Sequence, residues 1–171
     1  MCKYIIVGKA ASGKDTTQGI LTKKGFKPLR LYTTRPVRPN ETGKEYHFVS
    51  KEKMETMISQ NKFISVKVFN DWYYGFTLED FKTCDVAILT PSNIVELRNS
   101  QPELMKFTTI IYLDIPEKIR KERLKKRYDG GKEDDSVSRR LRADKADFKL
   151  FNYFDVRFIS NEDADAFVNN L

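Results

Sequence analysis

The segment Gly8-Lys9-Ala10-Ala11-Ser12-Gly13-Lys14 constrains this chain more than any other feature. It follows Lys3–Val7, a short apolar run rich in β-branched residues and read as a buried strand. It opens a stretch read as a helix from Lys14 to Lys24, closed by Gly25. A G-x-x-x-x-G-K spacing between a strand and a helix makes an anion cradle. The glycines let the backbone turn tightly, so that successive N–H groups converge on phosphate oxygens, and the helix start adds its positive end. Lys14 adds a point charge for the β- and γ-phosphates of ATP. A glycine-rich turn with an incidental lysine is the weaker reading, because both flanks are right. Gly8, Lys9, Ala10, Ala11, Ser12, Gly13 and Lys14, with Asp15 and Thr16 at the helix start, are the candidate ATP-phosphate residues. The position after the lysine normally holds a Ser or Thr that ligates Mg²⁺. Here it is Asp15, followed by Thr16, and these two are the candidate Mg²⁺ ligands.

Further strand signals fall at Pro28–Thr34, Val86–Leu89, Phe107–Leu113 and Val156–Ile159. Helical stretches at Pro91–Ser100, Pro116–Lys126 and Glu133–Leu150 separate the later ones. Strands alternating with helices of this length predict βαβ units and a parallel sheet, an α/β fold. The texture changes after Thr34. A loop rich in proline, glycine and charge leads to short strands at Tyr46–Val49, Phe63–Phe69 and Trp72–Phe76, with a helix at Lys51–Gln60 and a turn at Asn70-Asp71. This block reads as a small α+β insertion. A polar, charge-dense segment, Arg127–Arg142, is too polar for a core.

At 171 residues the chain suits one compact unit with room for such an insertion. No apolar run is long enough for a transmembrane helix, and the N-terminal run is too short for a signal peptide. Cys2 and Cys84 give neither a disulfide framework nor zinc spacing, so a cytoplasmic protein without membrane partners is expected. The net charge of +7 suits an anionic partner, but no nucleic-acid motif accompanies it, and nucleic-acid binding is not expected.

Three stretches carry a family resemblance. Thr33-Thr34-Arg35-Pro36-Val37-Arg38-Pro39-Asn40-Glu41, continuing to Tyr46-His47-Phe48-Val49, resembles the TTRxxRxxE…YxFV segment of the guanylate kinases. Asn70–Gly75 resembles their NxYYG turn, and Ile159–Asp163 their VNDD ending. The resemblance implies a three-layer P-loop kinase fold with a central parallel sheet. It divides the chain into a core (1–31, 81–126 and 143–171), an acceptor-binding insertion (32–80) and a mobile lid (127–142). It implies ATP and Mg²⁺ as donor and cofactor, a nucleoside monophosphate as acceptor, and a monomer or homodimer. Arg35, Arg38, Tyr46 and Tyr74 would bind the acceptor phosphate, with Glu41 beside them. Guanidinium forks and phenol hydroxyls suit that task. On the donor side Arg127 and Arg140 match the lid arginines that join Lys14 in catalysis. Arg123, which shares a helix face with Arg127, would cover the adenine, and Asn161 would complete the ATP site.

The base-reading positions depart from the family. Its Ser, Glu, Ser and Asp fall on Leu31, Ser65, Phe76 and Thr90, so no carboxylate meets the donors of guanine. Ser65 and Thr90 are the candidate base contacts. GMP or dGMP is the expected acceptor, with weak discrimination. Another deoxynucleotide, ribose 1,5-bisphosphate, or a non-catalytic guanylate-kinase-like binding module are the alternatives. His47, Cys84, Trp72, Met54 and Met57 are expected to be structural.

Overall fold

The computed structural model describes every residue except 40 and 128–132, and the side chains of 127 and 133–136 are also outside the description. In chain order the strands are β1 (Tyr4–Gly8), β2 (Tyr32–Thr33), β3 (His47–Phe48), β4 (Phe63–Phe69), β5 (Trp72–Thr77), β6 (Val86–Ile88), β7 (Thr109–Leu113) and β8 (Val156–Phe158). The helices are α1 (Lys14–Lys23), α2 (Lys51–Ser59), α3 (Leu78–Thr83), α4 (Pro91–Ser100), α5 (Pro102–Met105), α6 (Glu117–Arg127), α7 (Glu133–Asp147) and α8 (Asn161–Asn169).

Four strands form a parallel sheet in the order β6-β1-β7-β8, with Ile5 opposite both Ala87 and Ile110. A parallel sheet is covered on both faces, and the period of two along β1 sorts its residues between them. Ile5 and Val7 pack with Phe81 of α3 and Ile94 and Leu97 of α4. Ile6 points the other way, to Leu21 of α1 and Ala164 and Val168 of α8. The result is the three-layer α/β arrangement expected from the alternating pattern.

The second sheet has the order β3-β2-β5-β4, with β2–β3 parallel and the other pairs antiparallel. Its β4–β5 hairpin turns at Asn70-Asp71, both left-handed with φ of 49° and 64°. That pair of positive φ values matches the right-handed twist of the flanking strands. Met54 and Met57 of α2 and the two cysteines are buried, as expected of structural residues.

The single strand expected at Pro28–Thr34 is not formed. Pro28 makes only an isolated parallel bridge to Val86, and the strand proper is Tyr32–Thr33 in the other sheet. Proline cannot donate to a ladder, and the chain uses this stretch to cross from one sheet to the other. The helix expected to reach Leu150 stops at Asp147 instead. There Phe148 and Phe151 turn onto the Tyr112 ring, with centroids 5.5 Å and 5.3 Å away. Three helices escape the periodicity reading. α3 and α5 are too short for it, and α8 is marked chiefly by its cap, in which the Ser160 hydroxyl accepts from the Asp163 N–H.

Removing that cap should cost about 1 kcal/mol. Ser160→Ala is expected to lower the urea midpoint by about 0.3–1 M, that cost divided by the slope, with the slope unchanged. A change within error would show that α8 is held at its start by other contacts.

Candidate active site

The loop between β1 and α1 is shaped by two close approaches. A Cβ on Gly8 would lie 2.5 Å from Ser12 Oγ and 2.8 Å from the Leu113 carbonyl oxygen, so only glycine fits there. Ala11 (φ 60°) and Gly13 (φ 95°) are left-handed, and this alternation turns the loop N–H groups into a concavity that suits an anion. Lys14 Nζ donates to the carbonyls of Gly8 (2.7 Å) and Lys9 (3.0 Å), closing the loop on itself. Ser12 Oγ is buried and has no hydrogen-bond partner among the described residues.

Other elements brace the loop. Asn161, at the start of α8, donates from Nδ2 to the Ser12 carbonyl (2.9 Å). Its Oδ1 accepts from Arg123 of α6 at 2.8 Å, and Arg123 also donates to the Ala11 carbonyl at 3.2 Å. A cavity of about 410 Å³ opens here, lined by residues 11–16, Arg123, Asn161 and Asp165. Ala11 through Thr16 thus meet Arg123 and Asn161, their neighbours only in the fold, around one space. Gly8, Lys9 and Ala10 shape the loop behind it.

Two ionic clusters behind the loop were not singled out in the sequence. Arg120, 3 % exposed, donates to the Ile115 carbonyl, to the Ala10 carbonyl (3.3 Å) and to Asp144 (2.9 Å). Asp144, on α7, accepts in turn from the Ala10 N–H at 3.0 Å. Both polar groups of one loop residue are therefore held by this pair. Arg140 lies one turn before Asp144, on the same face of α7. In the second cluster Lys9 pairs with Asp114 at the end of β7 (3.0 Å), which also accepts from Arg157 Nε (3.0 Å) and the Tyr112 hydroxyl (2.8 Å). Burial pushes the Asp114 carboxyl up, but the hydrogen bonds from Lys9, Arg157 and Tyr112 outweigh it and hold the group at about 2. Residues 128–132 and the side chains of Arg127 and 133–136 lie outside the described residues.

On the second sheet, Arg35 is 4 % exposed and forks onto both oxygens of Glu41 (3.0 Å and 2.7 Å). Its guanidinium lies 5.3 Å from the Tyr46 ring centre and 5.5 Å from that of Phe48. Glu41 also accepts from the Arg38 backbone N–H at 2.8 Å, so it fixes the Arg35 side chain and the Arg38 main chain, and Arg38 is exposed. Tyr46 and Tyr74 meet edge to face with centroids 6.1 Å apart. Burial raises the Tyr46 phenol, and Tyr74 and Asp15 add to the effect against the pull of Arg35. Asp15, at the edge of the first cavity, is thus an electrostatic neighbour of Tyr46, which lines a second cavity of about 590 Å³. Leu31, Ser65, Tyr74, Phe76, Thr90, Asn93 and Asp147 also line it. Thr90 and Ser65 are joined there through Asn93: Thr90 caps α4, and Asn93 Nδ2 donates to Ser65 Oγ at 2.8 Å. Phe76 is packed into the core against Phe81. His47 stacks on Tyr32, and burial lowers its pKa. Asn93 was legible as the last residue of a T-x-x-N cap. Asp144 had no local signal, because Ala10 and Arg120 lie far along the chain, and Asp147 comes to the cavity only through the fold.

Asp144→Ala would strand the Arg120 guanidinium without its carboxylate, at a cost of about 3–5 kcal/mol. The double change Arg120→Leu with Asp144→Ala should recover most of that in urea titrations. Equal losses in both proteins would mean that the pair contributes little as a pair. Asp114 gives a second expectation. Its folded-state pKa is depressed, so its contribution of about 2 kcal/mol is full above pH ~4 and is lost as pH falls toward 2. Asp114→Asn should flatten the acid limb of stability against pH in that window, and an unchanged limb would refute the assignment.

The sequence model of the guanylate kinase family matches residues 1–171. The guanylate kinase of Aster yellows witches'-broom phytoplasma (strain AYWB) is 30% identical over 170 residues, covering 95% of this chain and 80% of that one. That of Onion yellows phytoplasma (strain OY-M) is 29% identical over 170 residues, 95% and 79% of the two chains. Among solved structures, the guanylate kinase from Anaplasma phagocytophilum superposes with a TM-score of 0.69 over 99% of this chain and 83% of that one, at 17% identity, a likeness of fold. The α/β architecture agrees with these matches, and the chain belongs to the guanylate kinase family.

Proposed function

We propose that this nucleoside monophosphate kinase moves the γ-phosphoryl group of ATP to GMP or dGMP, with the donor in the 410 Å³ cavity and the acceptor in the 590 Å³ one. The observation that carries the reading is the presence of two cavities in one fold, an anion cradle after β1 and a second cavity bordered by Tyr46 and Tyr74, with the Arg35 guanidinium over the Tyr46 ring. Phosphoryl transfer asks little covalent chemistry of a protein. It needs two phosphates in line, neutralised and dry.

In this reading the loop N–H groups and Lys14 take the ATP phosphates, with Arg123 and Asn161 at the nucleoside side. Lys14 leaves the Gly8 and Lys9 carbonyls to do so. Arg35, Arg38, Tyr46 and Tyr74 hold the acceptor phosphate, Glu41 orients the two arginines, and Ser65 and Thr90 lie at the base end. Arg127 and Arg140 bring positive charge to the transferring group. The hard oxygens of Asp15 and Thr16 suit Mg²⁺, which takes one or two protein ligands and keeps the rest for water and phosphate. Bound there, Mg²⁺ supplies charge neutralisation between the two nucleotides.

The base end supports weak discrimination. Leu31 and Phe76 are apolar, and the Thr90 hydroxyl is spent on the α4 cap. Discrimination between GMP and other purine monophosphates of about 10²-fold or less is expected. No helix among the described residues is long and apolar enough to cross a membrane. The reading includes a cytoplasmic location, a monomer or homodimer, and nucleotides rather than nucleic acid as partners.

A coupled ADP-release assay with ATP and a panel of acceptors, including ribose 1,5-bisphosphate, tests it. Lys14→Ala should cut kcat by orders of magnitude while the fold persists. Near-normal turnover would rule out the loop as the donor site. Arg38→Ala should raise the acceptor KM, at a cost of about 2–5 kcal/mol, whereas Arg140→Ala should mainly lower kcat. Swapped signatures would mean that the two cavities have been given the wrong substrates.

A further inference from the structure

Asn93 has no part in the reading so far. It is the third residue of α4, 9 % exposed, between Thr90 and Ser65 at the base end of the second cavity. The orientation of its amide is fixed by chemistry. The Thr90 backbone N–H can only donate, and it meets Asn93 Oδ1 at 3.1 Å. The Thr90 hydroxyl meets the same oxygen at 2.7 Å. The other end of the amide is therefore the NH₂ group, and it donates to Ser65 Oγ at 2.8 Å.

A hydroxyl that accepts from an amide N–H keeps its own proton to give. Ser65 is 5 % exposed, lines the cavity, and has no protein acceptor for that proton among the described residues. The cap of α4 thus sets the polarity of a group on a different element, β4. We infer that Asn93 holds Ser65 as a hydrogen-bond donor to the base of the acceptor nucleotide. The buried end of the cavity then reads a lone pair, a carbonyl oxygen or ring nitrogen, and not an N–H. The inference rests on the proposed acceptor role of this cavity. It also explains weak discrimination, because every nucleobase carries such a lone pair, whereas the N1–H of guanine is not shared by adenine. Lys67, another donor lining the cavity, is already paired with Glu96, and Asp147 is exposed on the α7 side.

Asn93→Asp tests the polarity with almost no change of shape. A carboxylate is favoured at the third residue of a helix, so the cap should persist. One oxygen keeps the Thr90 donors. The other has only lone pairs and draws the Ser65 proton to itself, leaving Ser65 with lone pairs toward the base. KM and kcat are measured with ATP and GMP, dGMP, AMP or CMP for the wild type, Ser65→Ala, Asn93→Asp and the double variant. For the acceptor that the wild type uses best, Ser65→Ala should raise KM about 5- to 30-fold with kcat nearly unchanged. Asn93→Asp should raise KM at least as much although the serine is still present. The double variant should be no worse than Asn93→Asp.

An Asn93→Asp protein with a wild-type or lower KM overturns the inference, since Ser65 would then accept from the base. Additive losses overturn it too, because the two residues would act separately. Ser65→Ala leaves the helix cap intact and is decisive if Asn93→Asp does not fold: an unchanged KM there rejects the inference by itself. A wild-type protein inactive with every acceptor instead rejects the acceptor-site reading beneath it.

Discussion

The backbone of Gly8 lies against the carbonyl of Leu113, and this one close approach governs the geometry of everything around it. It can occur because β1 and β7 pair in register to their ends, Gly8 opposite Leu113. The last residue of β1 then has no room for a side chain, and the chain must turn at once into the loop. The loop in turn delivers α1 onto the face where Leu21 packs with Ala164 and Val168 of α8. The start of α8 returns Asn161 to the loop. Sheet pairing, helix packing and the cradle are one closed circuit, and a defect in any part is felt at the others.

Charge follows the same architecture. Lys9 of the loop, Arg120 of α6 and Arg157 of β8 are each paired with a carboxylate behind the loop. Arg120 and Asp144 are nearly buried, and a buried pair is weak evidence for stability in itself. What this pair does is fix orientation, because it holds the N–H and the carbonyl of the same alanine. On the other sheet, Glu41 does the same for Arg35 and Arg38. In both places a carboxylate is spent on aiming a cation or a peptide unit.

Much of this was legible in the sequence. The G-x-x-x-x-G-K spacing between an apolar run and a helix located the loop, and the arginine–tyrosine segment located the second sheet. Local rules found β1, α1, α4 and the β4–β5 hairpin because their signals lie within a few residues of each other. They misread Pro28–Thr34, where one apolar stretch serves two sheets. They overran α7, because the stop comes from aromatic packing on Tyr112 and no glycine or proline marks it. Arg120 and Asp144 are 24 residues apart and bind a loop more than 100 residues earlier, so no periodicity could join them. Asn93 went unread in the sequence, although Thr90 three residues before it is a local capping signal. Its bond to Ser65 needed α4 and β4 to be neighbours first.

The hold of Asp144 on Ala10 makes α7 a lever. A helix fixed near its C-terminal end swings about that point, and displacement grows with distance from the fulcrum. Glu133 stands 11 residues away, an arm of about 16 Å at 1.5 Å per residue, while Arg140 stands only about 6 Å away. A swing of about ten degrees therefore carries the far end of the helix roughly 3 Å but moves the Arg140 backbone by roughly 1 Å. A tilt about Asp144 would thus displace the Arg140 backbone far less than the start of the helix.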